Sequence, residues 1–127
     1  MKQSENSVHL QVVTWLKIQY PTLMFRTDMG GIRLNIGQSM RMKTLQKGSG
    51  WPDLFIAHPI HGKCGLFIEI KATIKDLYKA DGRTFKNEHS EQQAKILKHL
   101  TGLGYYADFA CGFDGCVALI TNYLNGE

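Results

Sequence analysis

The sequence predicts an α/β fold, a mixed central sheet with helices on both faces, from three observations. Two apolar runs of strand length, Leu54-Phe55-Ile56-Ala57 and Leu66-Phe67-Ile68-Glu69-Ile70-Lys71-Ala72, flank the turn-like stretch Pro59-Ile60-His61-Gly62-Lys63, which returns the chain antiparallel. Segments with apolar residues at helical spacing lie on either side of that hairpin. The length of 127 residues, with 43% hydrophobic and 20% charged content, suits one domain (1–127) with one core.

Taken in order, the first element is a helix from Glu5 to Gln19, with Ser4 as N-cap and Tyr20-Pro21 as its stop. Its apolar stripe is Val8, Val12, Trp15 and Leu16. A strand follows at Leu23 to Arg26, then a glycine-rich basic segment with a short helix near Gln38 to Leu45, then the two strands of the hairpin. The next helix is expected from Glu91 to Leu100, opened by Ser90 and ended by Gly102, before a strand at Tyr105 to Cys111. A last helix is expected around Gly115 to Leu124 with Asp114 as its cap, although Val117-Ala118-Leu119-Ile120 also suits a buried strand. No repeats and no low-complexity segment are present.

The chemistry concentrates on Pro52-Asp53 and Glu69-Ile70-Lys71. Strand alternation puts Leu66, Ile68 and Ile70 on one face and Phe67, Glu69 and Lys71 on the other, and the antiparallel return brings Asp53 towards Glu69. Magnesium takes hard oxygen ligands, usually one or two carboxylates with phosphate and water completing the shell. A lysine beside such a metal can orient or deprotonate the attacking water and offset charge on phosphoryl oxygens. The set therefore composes a metal-dependent phosphodiesterase site, while a solvated strand face with a cross-strand ion pair would also account for Glu69 and Lys71. Glu5 falls within the apolar stripe of the first helix, either as a third carboxylate or as a first-turn acid favoured by the helix dipole. Gln93 shares the inward face with Ile96, Leu97 and Leu100. It can support Lys71 and the water, or close a capping box with Ser90.

The net charge is +4, and the basic residues cluster. Arg33, Arg41, Lys43 and Lys47 precede the Asp53 strand, and Lys75, Lys79, Arg83 and Lys86 follow the Lys71 strand. Flanking an acidic site, they suit a polyanion such as DNA, or else form a solvated surface. Glycines in the first cluster and Lys79-Ala80-Asp81-Gly82-Arg83 in the second place both on loops. Cys64, Cys111 and Cys116 lack the spacing of a disulfide framework and are expected to be reduced. The N-terminus has no apolar h-region and no segment has the length of a membrane span, so the chain is expected to be cytoplasmic, without a membrane partner. His58, His61 and Cys64 are a rival zinc constellation, against which stands the lack of a fourth ligand at zinc-finger distance. His9 is expected to pack or line the site, and His89 and His99 to be exposed.

Together these pieces resemble the VRR-NUC family, the virus-type replication and repair branch of the PD-(D/E)xK nucleases, in its small stand-alone form. The resemblance spans nearly the whole chain. It rests on Glu5-Asn6, Tyr20-Pro21, Gly30-Gly31, Arg41-Met42-Lys43, Gly50-Trp51-Pro52-Asp53-Leu54-Phe55, Phe67-Ile68-Glu69-Ile70-Lys71-Ala72 and Ser90-Glu91-Gln92-Gln93. It implies a restriction-endonuclease-like core and metal ligation by Asp53, Glu69 and the Ile70 carbonyl. Lys71 would be the catalytic lysine, Gln93 its support and Glu5 an accessory acid acting on the metal through water. The implied activity is Mg²⁺- or Mn²⁺-dependent cleavage of DNA, with branched DNA and four-way junctions as leading substrate, no organic cofactor, and a homodimer as working form. A DNA-binding module without catalytic competence is the alternative. For a dimer face, the C-terminal Val117, Leu119, Ile120, Tyr123 and Leu124 are candidates, core packing being their other use. The stretch from Thr73 to Glu88 looks longer than is usual in similar sequences.

Overall fold

A computed structural model of the chain describes residues 4–28, 35–45 and 50–126, the side chain of Met42 excepted. Arg33, Lys47 and the Gly30-Gly31 pair lie outside the described residues. The elements in order are α1 (Glu5–Gln19), β1 (Phe25–Thr27), α2 (Ile36–Leu45), β2 (Leu54–Ile56), β3 (Leu66–Lys71), α3 (Ile74–Leu77), α4 (Glu88–Gly102), β4 (Tyr106–Cys111) and α5 (Gly112–Asn125).

The strands form one sheet in the order β1-β2-β3-β4. The first two pairings are antiparallel and β3–β4 is parallel. The parallel pair needs a long crossover, which α3 and α4 supply. The hairpin between β2 and β3 turns at His61 (φ 48°) and Gly62 (φ 78°), closed on both sides by hydrogen bonds between Ile60 and Lys63 of 3.0 and 2.9 Å. Two central residues at positive φ match the twist of the flanking strands. Gly65 lies against Phe55 so closely that a Cβ there would come within 2.7 Å of the ring and 2.9 Å of the Ile56 carbonyl oxygen. Only glycine lets β3 begin at that distance.

Burial explains the layering. Val8, Val12 and Leu16 of α1 and Cys116 and Ile120 of α5 meet Leu66, Ile68 and Ile70 of β3 in one cluster. Leu97 and Leu100 of α4 are buried apart from it, over β4 on the other side of the sheet. A mixed sheet between two helical layers results, as the sequence predicts.

Several boundaries differ from the sequence-based expectation. α4 starts at Glu88, because Asn87 rather than Ser90 is the N-cap: its side chain accepts from the Ser90 N–H at 2.9 Å. α5 starts at Gly112, where φ is 72°, so Asp114 is a first-turn acid and not the cap. Val117 to Ile120 is helical, which removes the strand alternative. The long stretch after Thr73 holds α3, opened by a Thr73–Asp76 capping box, and a loop closed by a Tyr78–Phe85 bridge. In that loop Asp81 accepts from the N–H groups of Arg83 and Thr84 and from the Thr84 hydroxyl.

Ile120 and Tyr123 are buried, and Leu119 and Leu124 pack against the core. Core packing thus accounts for these four residues, while Val117 is half-buried and lies outside the core cluster. The Tyr123 hydroxyl donates to the His58 carbonyl at 2.6 Å, and His61 rests on Gly126 at the end of α5. The His58–Cys64 hairpin is therefore a structural clasp on that helix. Cys116 is buried, and burial first of all pushes its thiol up to about 12, so it is an unreactive core residue. No described helix is long and apolar enough to cross a membrane.

Candidate active site

Asp53 stands immediately before β2 and Glu69 near the end of β3. The register pairs Leu54 with Ile68, which sets Asp53 beside the next residues of β3. Asp53 Oδ2 accepts from the Ile70 N–H at 2.8 Å. That bond substitutes for the next rung of the ladder and fixes the carboxylate, and it shows that the polar edge of the Ile70 peptide faces Asp53. Glu69 is buried and hydrogen-bonded to Asp53. Burial first, then the bond and charge of Asp53, push the Glu69 carboxyl up to about 10. Burial and the neighbouring acid thus oppose a second negative charge on the pair.

Lys71 is buried on the same face, with its Nζ 4.0 Å from Oε1 of Glu5. Glu5, at the first turn of α1, is half exposed, and burial raises its carboxyl while Lys71 opposes that shift. Glu5 thus sits with the lysine. Among the described residues no three His, Cys, Asp or Glu side chains converge as a metal-holding group, neither Glu5 with Asp53 and Glu69 nor His58 with His61 and Cys64.

Gln93 faces inward from α4, buried, and its Oε1 has no hydrogen-bond partner; the Ser90 hydroxyl is buried and equally unpartnered. Because Asn87 caps the helix, the capping-box role for Gln93 falls away. His9 lines the site, with Nε2 at 3.2 Å from the Thr27 hydroxyl; burial lowers its pKa, against the charge of Asp53. His89 and His99 are exposed, as expected. The cations Arg41, Lys43, Lys75, Lys79, Arg83 and Lys86 are all exposed, the first two on α2 and the others on α3 and the loop after it.

A solved VRR_NUC domain protein superposes on this chain with a TM-score of 0.69, over 98% of this chain and 91% of that one, at 22% sequence identity. The two share a fold. No family model matches the chain, and no curated protein matches it in sequence. The structural likeness bears out the predicted α/β architecture, a mixed sheet flanked by helices.

Sequence reasoning missed one feature of the site. Trp51, Phe55, Phe67 and Tyr105 line a groove of about 460 Å³ together with Arg26, Asp28, Leu45 and Pro52. Its rings come from separate segments, and only the strand register, with Phe55 opposite Phe67, brings them together. A sequence pattern carries no sign of that convergence beyond the aromatic content of each strand.

Proposed function

We propose that this chain is a metal-dependent endonuclease that hydrolyses DNA phosphodiester bonds at Asp53, Glu69 and Lys71. The observation that carries the reading is the buried carboxylate pair. Three carboxylates (Glu5, Asp53 and Glu69) face one ammonium, that of Lys71. Without a further cation Glu69 must keep a proton in a buried site, a costly arrangement that a dication in place of the proton would relieve. Two carboxylates, with a backbone carbonyl from Ile70 on the same edge, form the sparse hard-oxygen set that Mg²⁺ or Mn²⁺ takes. When bound, such an ion supplies Lewis-acid stabilisation of charge on the phosphoryl oxygens and acidifies water.

The chain's own groups then divide the remaining work. The Ile70 N–H holds Asp53 in place. Lys71, anchored near Glu5, orients the attacking water for in-line displacement and meets developing negative charge at the phosphate. Gln93 presents its amide from α4 as support for the lysine or the water. The exposed lysines and arginines after β3 and on α2 hold the DNA backbone by charge. Branched DNA, with four-way junctions as leading case, is the proposed substrate. Two copies related by a two-fold axis would address its two equivalent strands.

The test incubates the pure protein with labelled branched and linear DNAs in Mg²⁺, Mn²⁺ or EDTA. Cleavage in either metal but not in EDTA, faster on junctions, is expected. Binding without cleavage in any metal would refute the enzyme and leave a DNA-binding module, and a monomer by light scattering that cuts junctions and linear duplex equally would refute the junction assignment.

A further inference from the structure

The aromatic groove beside the carboxylate pair has no part in the hydrolytic step. Its floor is Phe67, 6% exposed, stacked on Phe55 at a centroid distance of 4.5 Å. Tyr105 stands edge-on to Phe67 at 5.0 Å, and Trp51 leans over it at 5.8 Å while remaining 48% exposed. Among the described residues nothing covers this half-exposed tryptophan and its apolar floor, and large exposed apolar patches usually mark binding sites.

What fits there follows from its neighbours. Arg26, exposed on β1, and Asp28, just after that strand, both line the groove, so its rim carries one cation and one acid. Leu45 lines it from α2, the helix that carries the exposed Arg41 and Lys43. The groove is also continuous with the site: Pro52 lines it and precedes Asp53, and Phe67 lies two residues before Glu69 on the same face of β3. Flat rings with an arginine at the rim, next to groups that suit a phosphodiester, match a nucleobase whose own backbone passes the site. A base inside a duplex already stacks on its neighbours, so only an unpaired one is free to enter.

We propose that Trp51, Phe55, Phe67 and Tyr105 form a stacking subsite for one unpaired base of the DNA strand adjoining the scissile phosphate. The inference rests on the nuclease reading for its location and refines the substrate: flaps and overhangs engage the subsite directly, whereas a four-way junction, whose bases are all paired, engages it only where a pair opens at the branch. Ring stacking is tolerant of base identity, so the subsite reads strandedness and not sequence.

The test uses duplexes of one length, blunt or carrying a short 5′ or 3′ overhang with 2-aminopurine at the first unpaired position, in EDTA so that no strand is cut. Wild-type protein is expected to quench the 2-aminopurine and to bind one overhang polarity roughly tenfold more tightly than the blunt duplex, the effect of about one stacked base. Trp51→Ala should abolish both the quenching and the preference, and Trp51→Phe, which keeps a ring, should retain much of each. No quenching by the wild type, or equal quenching by wild type and Trp51→Ala, overturns the subsite. So does loss of a dimer in Trp51→Ala with quenching unchanged, which would mark the groove as a contact between copies. Metal-dependent cleavage measured in parallel separates the two claims: cleavage without quenching removes the subsite alone, and quenching without cleavage removes the nuclease alone.

Discussion

The two faces of β3 are buried to the same degree and have opposite chemistry. Leu66, Ile68 and Ile70 are at most 1% exposed and belong to the apolar core cluster with residues of α1 and α5; Phe67, Glu69 and Lys71, at most 6% exposed, turn to the other side. On the first face burial gains the full transfer free energy of each side chain. On the second the same burial holds an acid in its neutral form, beside a lysine whose nearest acid is 4.0 Å away. One strand thus stabilises the fold with alternate residues and strains it with the others, and strain of this kind concentrates where chemistry is done. The difference teaches that burial alone does not tell core from site; the partner of each buried group does.

The sharpest way to break the comparison is to change one face and watch the other. Lys71→Ala and Asp53→Asn are each expected to lower single-turnover cleavage by on the order of 10²–10³-fold or more, with the far-UV spectrum and much of the DNA affinity kept, because they remove groups that act on the transition state. Asp53→Asn should also weaken metal binding in a calorimetric titration, and Lys71→Ala should not. Turnover near the wild-type rate in either variant would rule out the assignment. Ile68→Ala, on the opposite face, should instead cost about 2–5 kcal/mol in denaturant unfolding while the rate per folded molecule stays the same.

The dry face of β3 was legible in the sequence because its period of two and the helical stripe of α1 are local patterns. Asp53, Glu69 and Lys71 were legible for the same reason, since a hairpin of fixed turn brings its two strands into one register. What stayed hidden depended on competition or on distance. Ser90 with Gln93 is a good capping box on paper, but Asn87 offers an equally good acceptor three residues earlier and Glu88 adds a favourable first-turn acid, so the helix starts there. Thr73 with Asp76 is a local capping signal of the same kind, and it opens α3. The aromatic groove needs Tyr105 from beyond α4 to meet Phe55 and Phe67, a contact set by tertiary packing alone.

A gentler change sharpens the contrast through the proton. Glu69→Gln keeps the shape of the protonated acid and removes the need to hold a proton, so in EDTA near neutral pH it should raise stability, by roughly 1–3 kcal/mol. The wild-type protein should show the matching pH dependence. Its folded form keeps the Glu69 proton up to about 10, whereas an ordinary carboxyl releases it near 4.5. Between those values the folded state binds more protons than the unfolded one, so stability falls as pH rises across that window. Melting curves in EDTA should therefore shift downward from about pH 6 to about pH 8 in the wild type and less in Glu69→Gln. Added Mg²⁺ should reverse the wild-type loss by replacing the proton, and should do nothing for the variant. A Glu69→Gln protein that melts lower than the wild type in EDTA would show that the carboxylate is satisfied as it stands.

The smallest effect is expected at Gln93, buried on α4 with an unpartnered acceptor. Its Oε1 is buried without a partner, and an acceptor left in that state costs of order 1–3 kcal/mol against a hydrogen-bonded one. Replacing it by leucine removes the orphan and keeps the volume, so Gln93→Leu should melt at the wild-type temperature or be about 1 kcal/mol more stable. If its amide supports Lys71 or the water, turnover should nevertheless fall, by less than in Lys71→Ala. Asn87→Ala supplies the control, because it removes the true cap of α4 and should cost about 1 kcal/mol. A Gln93→Leu protein that loses stability as Asn87→Ala does, with an unchanged rate per folded molecule, would return Gln93 to a purely structural role in the helix.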